Sequence, residues 1–252
     1  MNIEIGDKDL FHVHTWRCHH AFKGISDEDV VQRAIEIGAE SIYFTDHAPF
    51  PGNPFGNRMK YEQLDEYLWT LDNLRRKYKS DIKIYVGLEI EYIPKFDRLG
   101  YYYELIGRPG IDFLMLGQHM AEDPIGRYTF SWDEQALDLY GFRILADAEI
   151  RGIDTGYFRV CAHPDRVFRR CKTWYRDMDI LSEQIAKAAE EHEVILEHNV
   201  SSVVKGQYRQ KFWGHVSDDV DTIIGLDAHQ MDELILPKNL PEDIVSQLKR
   251  GE

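Results

Sequence analysis

Positive charge is in short supply in this sequence: 30 Lys and Arg face 44 Asp and Glu, a formal net charge of −14 over 252 residues. A protein that tracks a nucleic-acid backbone needs a basic face, so nucleic acid is not an expected partner. Cysteine is scarce too. Cys18, Cys161 and Cys171 are odd in number and widely spaced, which argues against a disulfide framework. No apolar run approaches the roughly 18–20 residues of a membrane span, and the opening MNIEIGDKDL lacks the apolar segment of a secretory signal. A cytoplasmic chain with reduced thiols and no membrane contact is therefore expected. No repeat, low-complexity tract or Pro/Gly/Ser-rich linker interrupts the sequence, so residues 1–252 are expected to form a single domain.

The composition, 43% hydrophobic and 29% charged, suits a globular protein with a sizeable core. Short β-rich runs recur at 10–14, 41–45, 82–90, 112–117, 157–162, 194–199 and 222–227. Helical patterns separate them at 26–40, where Ser26 is a natural N-cap and Gly38 a stop, and at 59–78 and 177–192; another closes the chain at 240–250. Strand–helix alternation predicts parallel strands joined by crossover helices, and seven such units predict an α/β barrel.

Ionisable residues gather where such barrels place their active sites, at the carboxyl ends of the strands. Four of the eleven histidines fall within FHVHTWRCHHA at 11–21. Period-two alternation puts His12 and His14 on one strand face, and turns Gly87, Glu89 and Glu91 inward while Ile84, Val86, Leu88 and Ile90 pack on helices. His119 ends DFLMLGQH, His163 ends YFRVCAH, and Asp227 and His229 share a face at the last strand. Imidazole and carboxylate without paired thiolates suit Zn, Fe or Mn. So many donors on strand ends exceed the needs of one ion and point to a multinuclear cluster.

H-x-H-T, a further His six residues on, T-D-H-A-P, G-L-E, Q-H, A-H-P-D and D-A-H occur in that order across residues 12–229. This set resembles the polymerase and histidinol phosphatase (PHP) superfamily, and FTDHAPF and GLEIEYI resemble its histidinol-phosphate phosphatase branch. The resemblance implies a distorted (βα)7 barrel of the PHP type holding three divalent metal ions. It implies that His12, His14, Glu89 and Asp227 hold the first, that Glu89 bridges to a second completed by His119 and His163, and that His20, His47 and His229 hold the third. The family's loop histidine, six positions after the second strand histidine, corresponds to His20 rather than His19.

The implied activity is hydrolysis of a small phosphate ester, L-histidinol phosphate first, with a nucleotide, sugar phosphate or phosphodiester as the alternative. Two ions about 3.5–4 Å apart generate a nucleophilic hydroxide at neutral pH, and a third can stabilise charge on the transferred group. Arg166 or Arg169, just beyond His163, is the expected phosphate clamp. Asp46 is expected either to orient a ligand or to move a proton, and Glu91 to contact a cationic group on the substrate or to sit behind the ligands. His19, His192, His198, His215 and Cys18 have ordinary packing or loop readings. The loops at 48–58 and 121–132 are expected to wall the site. Every expected ligand position is filled, which argues against a non-catalytic module. Oligomeric state is left open.

Overall fold

The computed structural model describes residues 3, 5–133 and 140–248. Among the described residues the strands are β1 Asp9–Val13, β2 Ser41–His47, β3 Lys83–Ile90, β4 Phe113–Leu116, β5 Met120–Glu122, β6 Tyr128–Phe130, β7 Val160–Cys161, β8 Ile195–Asn199 and β9 Thr222–Gly225. The chain divides into two compact units. The first takes in the residues through Ile90, Ile106–Leu114 and Ile224–Pro241; the second takes in Glu91–Leu105, Met115–Ile223 and the residues from Glu242. Strands β4 and β9 each begin in one unit and end in the other.

In the first unit β1, β2 and β3 are parallel neighbours. The chain leaving β9 lies beside β1, with Leu226 N–H donating to Phe11 O at 2.9 Å, and the chain entering β4 lies beside β3, with Asp112 N–H donating to Val86 O at 2.7 Å. In the second unit β4, β7 and β8 are parallel neighbours, and Leu196 N–H donates to Asp221 O at the start of β9 at 3.0 Å. The first row therefore reads β9-β1-β2-β3-β4 and the second β4-β7-β8-β9, the parallel seven-strand succession expected of a (βα)7 barrel.

Residues facing one another on β2 and β3 show how the first unit is filled. Their register pairs Tyr43 with Tyr85, then Thr45 with Gly87, then His47 with Glu89. The lowest layer is aromatic: Tyr43 stacks on Tyr85 at 4.4 Å and tilts against Phe11 at 5.3 Å, and Phe11 stacks on Phe113 at 6.1 Å. The Phe113 ring occupies the space over Gly87, where an added Cβ would lie 2.7 Å from Cζ. Gly87 is thus inward, as alternation predicts, and its missing side chain is what admits the ring. Above this plug, the ionisable layer begins.

The helix Asp27–Glu36 starts at a reciprocal cap, in which Asp29 N–H donates to Ser26 Oγ at 3.1 Å and Ser26 N–H to Asp29 Oδ2 at 3.0 Å. Leu64–Lys77 and Glu242–Leu248 match the helical patterns at 59–78 and 240–250 with shorter ends, and Arg176–Glu191 matches 177–192 displaced by one residue. Gly141–Asp154 is an additional helix. Two glycines weaken its sequence signal, and Gly152 is needed for close packing, since a Cβ there would lie 2.9 Å from Leu116. The segment 121–132, expected as loop, instead contains most of an antiparallel hairpin of β5 and β6. Asp123 turns it, accepting from Ile125 N–H at 3.0 Å and Arg127 N–H at 2.8 Å. Among the described residues, no helix is long and apolar enough to cross a membrane.

If Phe113 fills the space that Gly87 leaves, Gly87→Ala will destabilise the protein by roughly 1–3 kcal/mol through overpacking. Urea unfolding will measure the loss, and Phe113→Leu in the same chain will recover part of it; equal losses in both backgrounds would show that the ring is not the obstacle.

Candidate metal centre

The first unit brings together seven of the nine predicted metal ligands: His12, His14, His20, His47, Glu89, Asp227 and His229. His12 and His14 meet, but not by simple alternation. β1 ends at Val13, and its pairing with β2 shifts between Leu10 and Val13. His12 adopts a left-handed backbone (φ 66°), so Phe11 reaches the aromatic plug while the adjacent His12 reaches Glu89 at 3.5 Å. Asp227 (φ 55°) and His163 (φ 35°) are left-handed as well. Such backbone costs a non-glycine residue of order 1–3 kcal/mol and concentrates at functional sites.

The donors crowd in two groups. In the deeper one, His14 Nε2 lies 3.2 Å from both His12 Nε2 and Asp227 Oδ1, and Glu89 Oε2 lies 3.6 Å from His14 Nε2 and 2.9 Å from His47 Nδ1. All but His47 are at most 3% exposed. In the shallower group His20 and His229 have matched geometry. His20 Nδ1 donates to Cys18 O at 2.8 Å and His229 Nδ1 to Asp227 O at 2.8 Å. A carbonyl only accepts, so each Nδ1 carries the proton and each neutral ring presents a lone pair at Nε2. These two lone pairs face each other at 3.0 Å. Such an arrangement repels unless a cation lies between them, and a ring whose far nitrogen donates to a backbone carbonyl is the usual form of a metal-ligating histidine.

A proton is a poor choice for that cation. Burial, reinforced by His14, lowers His229 to about 3, and burial likewise lowers His20. His14 shows the opposite effect of the same charge deficit. Burial opposes its protonation, yet the Asp227 and Asp46 carboxylates raise it to about 9. Thus the deep group attracts positive charge and the shallow group accepts it only as something other than a proton. Divalent Zn, Fe or Mn fits both donor sets.

Asp46 is fully buried behind His14, its Oδ1 3.6 Å from His14 Nδ1 and accepting His47 N–H at 3.0 Å. The Thr15 hydroxyl donates to its other oxygen. Sequence reasoning quoted Thr15 within H-x-H-T but missed Arg17, whose guanidinium is buried against Thr15, Asp27 and Glu66. No local pattern marks those partners. Cys18 is buried and its thiol donates to Thr15 O at 3.2 Å. Its sulfur also lies within 4.8 Å of donor atoms of His20 and His229, although burial holds its pKa well above the usual thiol range.

The second unit holds the other two predicted ligands side by side, with the His119 and His163 rings 4.9 Å apart. Glu91 is buried with Oε1 3.3 Å from His119 Nδ1, a placement that suits orienting the ring. Glu197 accepts the His163 N–H and the Asn199 amide, each at 3.0 Å. Arg166 is buried, donating to Asn199 Oδ1 at 3.0 Å and Ser202 Oγ at 2.9 Å. Arg169 donates to Ser131 O at 2.9 Å and lies over the Trp132 ring. Among the ordinary histidines, His198 stacks on Trp213 at 3.7 Å, His215 faces Asp179 at 3.0 Å, His192 caps a helix, and His19 is exposed.

Residues 11–201 match the family model of the PHP domain. The chain belongs to the PHP domain family. Its relatives include the histidinol-phosphatase of Bacillus subtilis (strain 168), 29% identical over 135 residues that cover 50% of this chain and 49% of the relative. A probable histidinol-phosphatase of Deinococcus radiodurans is 33% identical over 86 residues, covering 33% of this chain and 32% of that protein. The chain thus matches about half the length, or less, of these relatives. Among solved structures, a candidate histidinol phosphatase from Listeria monocytogenes superposes with TM-score 0.72 at 18% identity, over 90% of this chain and 97% of that one. Histidinol phosphate phosphatase from Lactococcus lactis, complexed with zinc, L-histidinol and phosphate, gives 0.69 at 18% identity, over 96% and 90%. The fold is accordingly the distorted (βα)7 barrel of PHP proteins.

The opposed shifts set a pH signature for the PHP chain freed of metal by chelation. Below the ordinary value of 6.5, the unfolded state takes up a proton that folded His229 refuses down to about 3, so stability falls as pH falls. Folded His14 keeps its proton up to about 9, so its contribution is complete below 6.5 and lost as pH rises through that range. In urea unfolding across pH, His229→Gln will flatten the acid limb and His14→Gln the alkaline limb; parallel curves for variants and parent would contradict both assignments.

Proposed function

We propose that this PHP protein is a metal-dependent phosphomonoesterase, acting first on L-histidinol phosphate to give L-histidinol and inorganic phosphate. The observation that carries the metal dependence is the pair of imidazole lone pairs of His20 and His229 facing at 3.0 Å beside the carboxylate-rich group around His14. The substrate follows from the relatives named histidinol-phosphatase and from the bound molecules of the Lactococcus lactis structure.

In this reading one ion is held by His12, His14, Glu89 and Asp227, and one by His20, His47 and His229, while His119 and His163 serve a third. Divalent ions at such donors supply a water acidic enough to react at neutral pH and neutralise charge on the phosphoryl oxygens. The protein's own residues then position the groups. Glu91 orients His119 through Nδ1, and Glu197 holds the His163 backbone. Arg166 or Arg169 provides the guanidinium for the phosphoryl oxygens. Asp46, acceptor from Thr15 and from the His47 backbone, faces the His14 ring and orients it. Water oxygen attacks phosphorus, the ester P–O bond breaks, and the alcohol oxygen leaves with a proton. The whole chain, residues 1–252, serves as one catalytic domain, and its free thiols suit the cytoplasm.

A second substrate reading is favoured by one fact: only 49% of one curated relative and 32% of the other lie within the matched region. Segments that shape a substrate pocket can differ outside that region, so another small phosphate ester is the alternative.

Phosphate release from L-histidinol phosphate will be abolished by chelation and restored by added metal. Asp227→Asn will lower kcat/KM by at least about 100-fold, since even groups behind the ligands are worth about 10–100-fold. Undiminished turnover by metal-free protein would refute the mechanism. A panel of phosphate esters ranked by kcat/KM will test the substrate, and a different ester at its head will favour the alternative.

A further inference from the structure

The ligand-bearing loop is fastened from behind by one guanidinium. Arg17 is 1% exposed. Its Nε and Nη2 donate to the two Glu66 oxygens at 2.9 and 2.7 Å, and its Nη1 donates to Asp27 Oδ2 at 2.7 Å and Thr15 Oγ1 at 3.2 Å. Asp27 opens the helix Asp27–Glu36 and Glu66 lies in the first turn of Leu64–Lys77, so two helices and the loop meet on one side chain.

The bonds at Thr15 have a direction. A hydroxyl has one hydrogen and two acceptor lone pairs. Thr15 Oγ1 accepts from the Arg17 backbone N–H at 3.3 Å and from Arg17 Nη1, which also carries only hydrogens to give. Both lone pairs are taken, and the hydroxyl hydrogen is left for Asp46 Oδ2, where the structure places it. Asp46 is thereby held as an acceptor, its remaining oxygen 3.6 Å from His14 Nδ1. A carboxylate at Nδ1 favours the tautomer with its proton there and its lone pair on Nε2, the atom that lies 3.2 Å from His12 Nε2 and Asp227 Oδ1.

We propose that Arg17 is a positioning residue for the metal centre, setting the ring and tautomer of His14 through Thr15 and Asp46. The proposal rests on the reading that these donors hold divalent ions. It assigns to Arg17 a function distinct from tying helices together, because the path to His14 passes through one hydroxyl.

The test is Zn2+ affinity of the full chain, measured by competition with a chromophoric chelator, alongside urea unfolding. Thr15→Val removes the hydroxyl at constant shape and will weaken zinc binding roughly ten- to hundredfold, the range for groups behind metal ligands. Arg17→Met will do the same, and Thr15→Ser, which restores the hydroxyl, will recover most of the loss. In the Thr15→Val/Arg17→Met double variant, zinc affinity will be no lower than in the worse single variant, because both act on one path. The unfolding cost of losing Arg17 will persist in the Thr15→Val background, since its bonds to Asp27 and Glu66 do not need Thr15. If Arg17→Met fails to fold, Arg17→Lys, which cannot reach all three partners at once, takes its place with the same expectation. Zinc losses that multiply in the double variant, or an unchanged zinc affinity for Arg17→Met, would overturn the proposal. A parent chain that binds no zinc would overturn the metal reading itself.

Discussion

The constraint on which this structure turns is the crowding of electron-pair donors around His14. In the first unit two imidazole nitrogens face at 3.0 Å, two more at 3.2 Å, and the carboxylates of Glu89 and Asp227 are within 4 Å of them. His12, His14, Glu89 and Asp227 are buried, while His229 is half-buried and His20 is exposed. Buried polar groups ordinarily find opposite partners, and a set this rich in carboxylate and imidazole acceptors draws positive charge, as the raised pKa of His14 shows. The aromatic plug of Phe11, Tyr43, Tyr85 and Phe113 adds to this by removing water from below. Beneath the donors, an apolar floor strengthens every electrostatic term above it. What the fold gives up in polar satisfaction it returns as affinity for positive charge.

Three of the predicted ligands carry backbone strain, and the bonds around each strained residue explain how it persists. His12 and Asp227 are both left-handed, and they lie side by side between the ladders of β1 and β9. Ala228 N–H donates to His12 O at 3.0 Å and His14 N–H donates to Ala228 O at 3.1 Å. Each strained residue is thus flanked by neighbours engaged with the other strand. At His163 the clamp is a side chain: Glu197 accepts its N–H, the Asn199 amide donates to Glu197, and Arg166 donates to Asn199 in turn. Sheet pairing holds two of the three turns and a buried carboxylate holds the third. In all three cases the strain serves direction, since it aims a donor that ordinary strand geometry would turn aside.

This explains how far the sequence could be read. The strand–helix alternation, the inward turn of Gly87 and Glu89, and the gathering of donors at strand ends all follow from period-two patterning, and the structure keeps them. His12 and His14 meet as expected, but by a backbone inversion that alternation does not encode. The hairpin of β5 and β6 was hidden because Pro124 and Gly126 mark its turn while its strands are three residues each. The helix Gly141–Asp154 was hidden by its two glycines, of which Gly152 serves packing. Arg17 was least legible of all. Its partner Glu66 lies 49 positions away, and a basic residue in a loop has no periodic signature.

That last case bears on why a buried ion pair is present at all. Desolvating Arg17, Asp27 and part of Glu66 is expensive, and well-packed apolar residues often stabilise a protein as well or better. Burial opposes the charge of Arg17 and raises the pKa of Asp27, even as each partner favours the other's ionised form. Stability alone is therefore a poor account of the cluster. Direction is a better one. An apolar replacement would fill the volume, but it would leave Thr15 free to turn its hydrogen elsewhere and Asp46 without a fixed donor. The guanidinium, which has no acceptor capacity, and the Arg17 backbone N–H together fill the lone pairs of Thr15 and leave its hydrogen for Asp46, whose other oxygen faces His14 Nδ1 at 3.6 Å.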